Sequence, residues 1–255
     1  MRYEKTKVQA WGKVYGGKLR YARQYIEFMQ KSHECDTYCE PYAAGAGVGI
    51  NIERSQFDTY VYNDIDTNIN SVVWSLIYKP DQVYGYLKKY FYNYNKQSFD
   101  LSLKHIGDQR HYVHAAAFIA RNRMSSQGRF ERFAATDTKV RLRGGRMGDE
   151  NAYLNFIDNH FWRTVHAYGR FRGSLYNRCA LSVIADYASP GTLFFLDPPY
   201  LNETLVTPNP YVRMVDRTHH ETLLDLITCS KGQFYICGYY SDLYNRILWR
   251  NTDGG

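Results

Sequence analysis

Three short apolar runs in this chain each stop on a polar, turn-forming cluster, and that repeated ending constrains the fold most. Asp36-Thr37-Tyr38-Cys39 leads into Glu40-Pro41 and a Gly/Ala-rich turn. Phe57 to Tyr62 (FDTYVY) ends at Asn63-Asp64, and Thr192 to Leu196 (TLFFL) stops at Asp197-Pro198-Pro199. Short β-branched and aromatic runs between turn signals read as buried strands. A fourth candidate, Gln233 to Cys237 (QFYIC), follows a helix. Thr218-x-x-Glu221 predicts a capping box at the start of that helix, before Leu223, Leu224, Leu226 and Ile227. Strands alternating with helices predict an α/β fold with a parallel sheet covered on both faces.

The middle of the chain differs. From about Val83 to Arg178 the pattern is helical but broken by basic, Gly-containing loops, QGRF (127–130) and RLRGGRMG (141–148). It reads as a separate, mostly helical module, 83–178, inserted into an α/β domain made of 1–82 and 179–255. Between Arg110 and Arg178, twelve Arg and Lys139 stand against Glu131, Asp137, Asp149, Glu150 and Asp158. That local excess of eight positive charges is larger than the +7 of the whole chain. A solvated charged face is the plain explanation for such a run. The dominance of Arg, whose planar fork suits phosphates and base edges, favours a nucleic-acid partner.

Hydrophobic residues at 44% and charged residues at 22% supply a real core and exclude a disordered chain. The 25 Tyr add rings that pack inside while presenting a hydroxyl. Five cysteines with no CxxC exclude a disulfide framework and a zinc ribbon. His111, His114 and the His219-His220 pair lack partners at ligand spacing, so no metal is expected. The opening MRYEKTKVQAWGK has no apolar signal core, and no run approaches about 18 apolar residues. The expectation is a soluble cytoplasmic protein without a membrane partner.

Asp197-Pro198-Pro199-Tyr200 is the sharpest chemical signal. In open α/β sheets ligands bind beyond the carboxyl ends of the strands, where this tetrapeptide falls. Two prolines fix two φ angles and remove two donors, leaving rigidly aimed carbonyl acceptors. With a carboxylate on one side and an aromatic ring on the other, the corner suits a planar ligand bearing an NH2 group. An aromatic amine is a poor nucleophile, and accepting its hydrogens returns electron density to nitrogen, an electrostatic device. Asp-Pro is also common at ordinary strand-to-turn junctions.

Its companions sharpen the reading. Glu40-Pro41-Tyr42-Ala43-Ala44-Gly45-Ala46-Gly47 follows the first strand, where small residues let backbone approach a ligand. Asn63-Asp64-Ile65-Asp66 ends the next strand about twenty residues on, the place of a ribose-binding acid. Turn and acid in this order imply an adenosine-containing cofactor. Gly12-x4-Gly17-Lys18 nearly spells a Walker A loop, but Leu19 offers no hydroxyl for Mg²⁺, and a nucleotide-hydrolase reading is set aside.

Across nearly its whole length the chain resembles the Dam-type (DPPY, class alpha) N6-adenine-specific DNA methyltransferases. Tyr15-Gly16-Gly17-Lys18 resembles their N-terminal element, EPYAAGAG their cofactor loop, NDID their ribose-binding segment and DPPY their catalytic motif. Gly238-Tyr239-Tyr240-Ser241-Asp242 resembles the segment after their fifth core strand, and Arg121-Asn122-Arg123 through Gly128-Arg129-Phe130 the start of their recognition region. The resemblance implies a Rossmann-like methyltransferase sheet, an inserted target-recognition domain, S-adenosyl-L-methionine as cofactor and double-stranded DNA as partner. By position, Asp197, Pro198, Pro199 and Tyr200 would be catalytic. Trp11, Tyr15, Lys18, Glu40, Tyr42, Ala44, Gly45, Asp64, Ile65 and Asp197 would line the cofactor, and Arg121, Arg123, Arg129, Arg141 and Arg143 would hold DNA. Two positions depart from the family. Val14 stands where Trp is frequent, leaving Trp11 or Tyr15 to substitute, and Ala44 stands where Gly is frequent.

The expected reaction is direct in-line methyl transfer to the N6 of an adenine flipped from the duplex. Leu201 to Arg213 is either a lid over that base or a plain surface loop. Methylation of cytosine N4 or of an RNA base is the nearest alternative, and a DNA-binding homologue without catalysis is another. The sequence ends at Gly255, shortly after the last predicted strand, without the antiparallel hairpin usual at that edge. Further chain, a partner, or an abbreviated ending would account for that edge.

Overall fold

The computed structural model describes residues 7–13, 17–29, 35–134, 149–201 and 215–248. A short helix α1 (Ala22–Phe28) precedes β1 (Thr37–Glu40), β2 (Thr59–Asn63) and α2 (Thr67–Tyr78). Next come α3 (Pro80–Tyr86), α4 (Lys96–His105) and α5 (His111–Met124). Then α6 (Glu150–Asn155) and α7 (Phe161–Tyr168) lead into a two-residue strand, β3 (Leu175–Tyr176). The chain closes by alternation: α8 (Ala180–Tyr187), β4 (Thr192–Leu196), α9 (Arg217–Cys229), β5 (Gln233–Ile236) and α10 (Asp242–Leu248).

All four strands expected from the apolar runs form, and β3 joins them in one parallel sheet ordered β3-β2-β1-β4-β5. Thr37 pairs with Thr59 on one side and Thr192 on the other. Every residue of β4 is buried, which is why TLFFL is continuously apolar rather than alternating. Its side chains part with period two. Leu193 and Phe195 join Tyr38, Tyr60 and Tyr62 on one face, whereas Phe194 and Leu196 join Cys39, Val61, Val183 and Leu223 on the other. Burying each such Leu or Phe stabilises by about 1.5–3 kcal/mol. The strand order reverses between β1 and β4, so the crevice beyond their carboxyl ends is the topological switch point.

One sequence expectation is corrected here. The cap of α9 is Asp216, whose carboxylate accepts from the His219 N–H at 2.8 Å, while Thr218 lies inside the first turn. A nearby Asp competes well with Thr for this position, because its carboxylate also meets the positive end of the helix dipole.

The 83–178 stretch is not separately cored among the described residues. Phe91, Phe99, Ala115, Tyr153, Phe156 and Phe161 belong to the same buried cluster as Tyr38 and Tyr60 of the sheet, and β3 pairs with β2. The cause lies in α5, buried at every residue from Val113 to Asn122; a helix buried all round must be enclosed, here by α2, α3 and α4. Among the described residues no helix is long and apolar enough to cross a membrane.

Candidate active site

Asp197 follows β4 directly and is the centre of the site. Lys18 Nζ donates to its two oxygens at 2.5 and 2.6 Å, and both side chains are largely shielded, at 11% and 19% exposure. Burial raises the Asp197 pKa, and the Lys18 charge and hydrogen bonds oppose that rise. The ammonium also stands 5.3 Å from the centre of the Tyr200 ring. Tyr239 meets that ring edge-on at 4.9 Å. Burial first, then the Asp197 charge, push the Tyr200 phenol upward, so it presents a neutral aromatic face. Pro198, Tyr200, Leu201, His220, Tyr239 and Tyr244 line a small hollow beside this corner.

Glu40 ends β1 across the crevice and is 3% exposed. Its Oε2 accepts from the Gly49 N–H at 3.1 Å. Burial nonetheless lifts its pKa to about 8, with Asp197 adding repulsion and Arg170 partly compensating. Arg170 is itself fixed by the Gly49 and Ile52 carbonyls at 2.6 Å each.

The loop after β1 bends at alanines. Ala44 and Ala46 have φ of 45° and 44°, a left-handed conformation that costs L-residues roughly 1–2 kcal/mol each. Three side chains hold it: Tyr62 donates to the Ala44 carbonyl at 2.7 Å, Tyr168 to the Gly45 carbonyl at 2.7 Å, and Asp64 accepts from the Ala44 N–H at 2.8 Å. Gly47 is required for a different reason, since a Cβ there would come within 2.8 Å of the Leu19 backbone nitrogen. This contact seats the loop against the Lys18 turn. Asp64 also accepts from the Asp66 N–H at 2.8 Å, and Ile65 beside it is 48% exposed.

The remaining expected residues divide. Trp11 is buried at 1% and packs on Phe118 with ring centres 5.6 Å apart; its indole nitrogen has no hydrogen-bond partner among the described residues. Tyr42 turns to the other face of the sheet, where its hydroxyl meets His219 Nε2 at 2.7 Å. That contact engages the ring with α9. Tyr15, Arg141, Arg143 and residues 202–213 of the expected lid lie outside the described residues.

Arg121 and Arg123, expected as DNA contacts, both turn their guanidinium groups to main-chain carbonyls of the protein itself. Arg121 is 7% exposed, covers the Phe99 ring at 4.0 Å and donates to the Phe99 carbonyl at 2.9 Å. Arg123 stacks on Phe156 at 3.3 Å and donates to the Ala10 and Trp11 carbonyls at 2.6 and 2.8 Å. A guanidinium can satisfy carbonyls and cover aromatic faces, so Arg in a basic stretch need not be on the surface. Arg129, just after the Ser126–Gly128 turn, is exposed.

Sequence reasoning missed the supports: Tyr62, Tyr168 and Arg170 around the loop, Tyr239 against Tyr200, and His220, whose Nδ1 meets Tyr244 Oη at 2.7 Å. The unusual number of tyrosines was the available signal, because hydroxyls reaching loop carbonyls are what an amphipathic ring supplies.

A family model described as D12 class N6 adenine-specific DNA methyltransferase matches residues 15–231. No curated protein matches the chain.

Proposed function

The chain belongs to the D12 class N6 adenine-specific DNA methyltransferases, and from that membership we propose a reaction using S-adenosylmethionine on an adenine flipped from duplex DNA, with Asp197 as acceptor for the target amine. The grouping of Asp197, Lys18 and Tyr200 at the switch point is the observation that carries this reading.

The residues present fit an adenosyl cofactor. The Asp64 carboxylate is oriented by the Ala44 and Asp66 N–H groups at the end of β2, as an acceptor for ribose hydroxyls requires. Exposed Ile65 offers an apolar surface to a purine, and the Ala44–Gly45 backbone, pinned by two tyrosines, gives close approach. Glu40 stabilises the loop from below through Gly49. When bound, the cofactor supplies an electrophilic methyl group on a sulfonium.

This chain's own residues then orient and polarise. Tyr200 stacks on the extruded base, offsetting part of an extrusion cost of a few kcal/mol. Asp197 takes an amine N–H, and the Pro198 carbonyl is the second acceptor. Lys18, bonded to both Asp197 oxygens, opposes the upward shift that burial imposes on that carboxyl and so favours the charged form of the acceptor. Arg129, with Arg141 and Arg143, grips phosphates, and the 83–178 stretch carries target recognition. Incubating the protein with isotope-labelled S-adenosylmethionine and duplex DNA, followed by nucleoside analysis, tests this directly. Label in N6-methyladenine is expected; cofactor binding without label transfer would leave a DNA-binding homologue instead.

A further inference from the structure

Residues 8–13 run through the protein without a strand partner, and side chains take the place of a ladder. Asn51 bonds the Val8 N–H and carbonyl at 2.7 and 3.1 Å, and Thr164 donates to the Gln9 carbonyl at 2.8 Å. Arg123 takes Ala10 and Trp11. Asn122 takes Lys13: its Oδ1 accepts from the Lys13 N–H at 2.6 Å and its Nδ2 donates to the Lys13 carbonyl at 2.9 Å. The same Nδ2 donates to the Gly128 carbonyl at 3.0 Å.

Asn122 is 1% exposed, and these bonds fix which end of the amide is oxygen. Close packing enforces the junction from both sides. A Cβ on Gly12 would fall 2.5 Å from Asn122 Oδ1. A Cβ on Gly128, whose φ is 73°, would clash with the Lys13 carbonyl oxygen. Lys13 lies five residues before Lys18, the partner of Asp197, and Gly128 immediately precedes exposed Arg129. One buried amide therefore ties the segment before Lys18 to the turn leading into the Arg-rich stretch.

We infer that Asn122 is a positioning residue that couples target engagement to the cofactor site. The inference rests on the function proposed above, in which Arg129 and the loop after it hold DNA. A load on that loop displaces Gly128. Because the Asn122 side chain is itself buried, its three bonds move together or break, and Lys13 follows. Coupling of this kind is reciprocal: DNA tightens cofactor binding by the factor through which cofactor tightens DNA binding. It also needs a demonstrated energetic link rather than proximity alone.

The decisive measurement is the Kd of S-adenosylhomocysteine, by calorimetry, with and without saturating sheared bacterial DNA. Wild type, Asn122→Ala and Asn122→Asp are compared, with thermal melting as the check on folding. In wild type, DNA is expected to tighten the Kd by about 5-fold or more. In both variants the ratio should fall below about 2-fold, with the DNA-free Kd little changed. Asn122→Asp matters because it is isosteric and keeps an acceptor for the Lys13 N–H but cannot donate to Lys13 and Gly128. It also serves where the Ala variant fails to fold. A folded variant that keeps the wild-type ratio, or a wild type whose two Kd values are equal, overturns the coupling. Failure of the wild type to bind S-adenosylhomocysteine at all would instead overturn the underlying functional reading.

Discussion

Lys18 donates to both carboxylate oxygens of Asp197, closing a contact between residues 179 apart in the chain. The pair joins an N-terminal turn to the end of β4 and satisfies a shielded carboxylate that would otherwise be costly to bury. A carboxylate has about four lone-pair sites, so two bonds to an ammonium are compatible with accepting from an incoming amine.

Asp197→Ala removes the charged acceptor for the target amine. Transfer should fall by about 10²–10³-fold or more, the cost of deleting a preorganised electrostatic group. Duplex affinity, measured by fluorescence anisotropy, should stay within about 2-fold, because phosphate contacts dominate it. Retained turnover would remove Asp197 from the chemistry.

Lys18→Met tests the other half of the pair. Burial raises the Asp197 pKa and Lys18 holds it down, so the variant should ionise Asp197 only at higher pH. The acid limb of its kcat/KM profile should move upward relative to wild type. An unmoved limb would mean that the ammonium does not set the charge state of Asp197 during turnover.

Glu40 makes stability itself pH-dependent. Its folded pKa of about 8 exceeds the ordinary carboxylate value of 4.5, so between these limits the folded protein retains a proton that the unfolded chain has lost. The stabilising contribution is complete below about pH 4.5, declines as pH rises, and is gone above the folded value. Its limiting slope is about 1.4 kcal/mol per pH unit. Glu40→Gln should flatten this part of the profile in denaturant titrations between pH 5 and 8; an unchanged slope would show that Glu40 is ionised in the fold.

The arginines separate by burial. Arg121→Leu should lower the melting temperature while leaving the slope of log Kd against log salt unchanged, since its guanidinium is spent on Phe99. Arg129→Ala should leave melting unaltered and reduce that slope by about 1. The reverse pattern would place the DNA-facing surface elsewhere.

Ala44→Gly relieves a left-handed alanine. Strain relief of roughly 1–2 kcal/mol is opposed by about 0.5–1 kcal/mol of added unfolded-state entropy. The net expectation is stabilisation of up to about 1.5 kcal/mol. Chemical denaturation checks it, and a loss of stability would show that the loop contacts, rather than the φ angle, dominate.

Local chemistry was legible in the amino-acid order alone. Apolar runs ending on acids and prolines determined β1, β2, β4 and β5 and put Asp64 just past β2 and Asp197 and Tyr200 just past β4, because strand patterning and turn residues act over a few neighbours. Which side chains meet was decided only by the tertiary structure. Lys18 with Asp197, Asn122 with Lys13, and Arg121 with Phe99 are long-range contacts. The basic stretch illustrates the limit: charge counting treats Arg121, Arg123 and Arg129 alike, but Arg121 is buried in α5, half-buried Arg123 is spent on the Ala10 and Trp11 carbonyls, and Arg129, beyond the helix, is exposed. Burial is a property of what packs around a residue, and a linear pattern does not carry it.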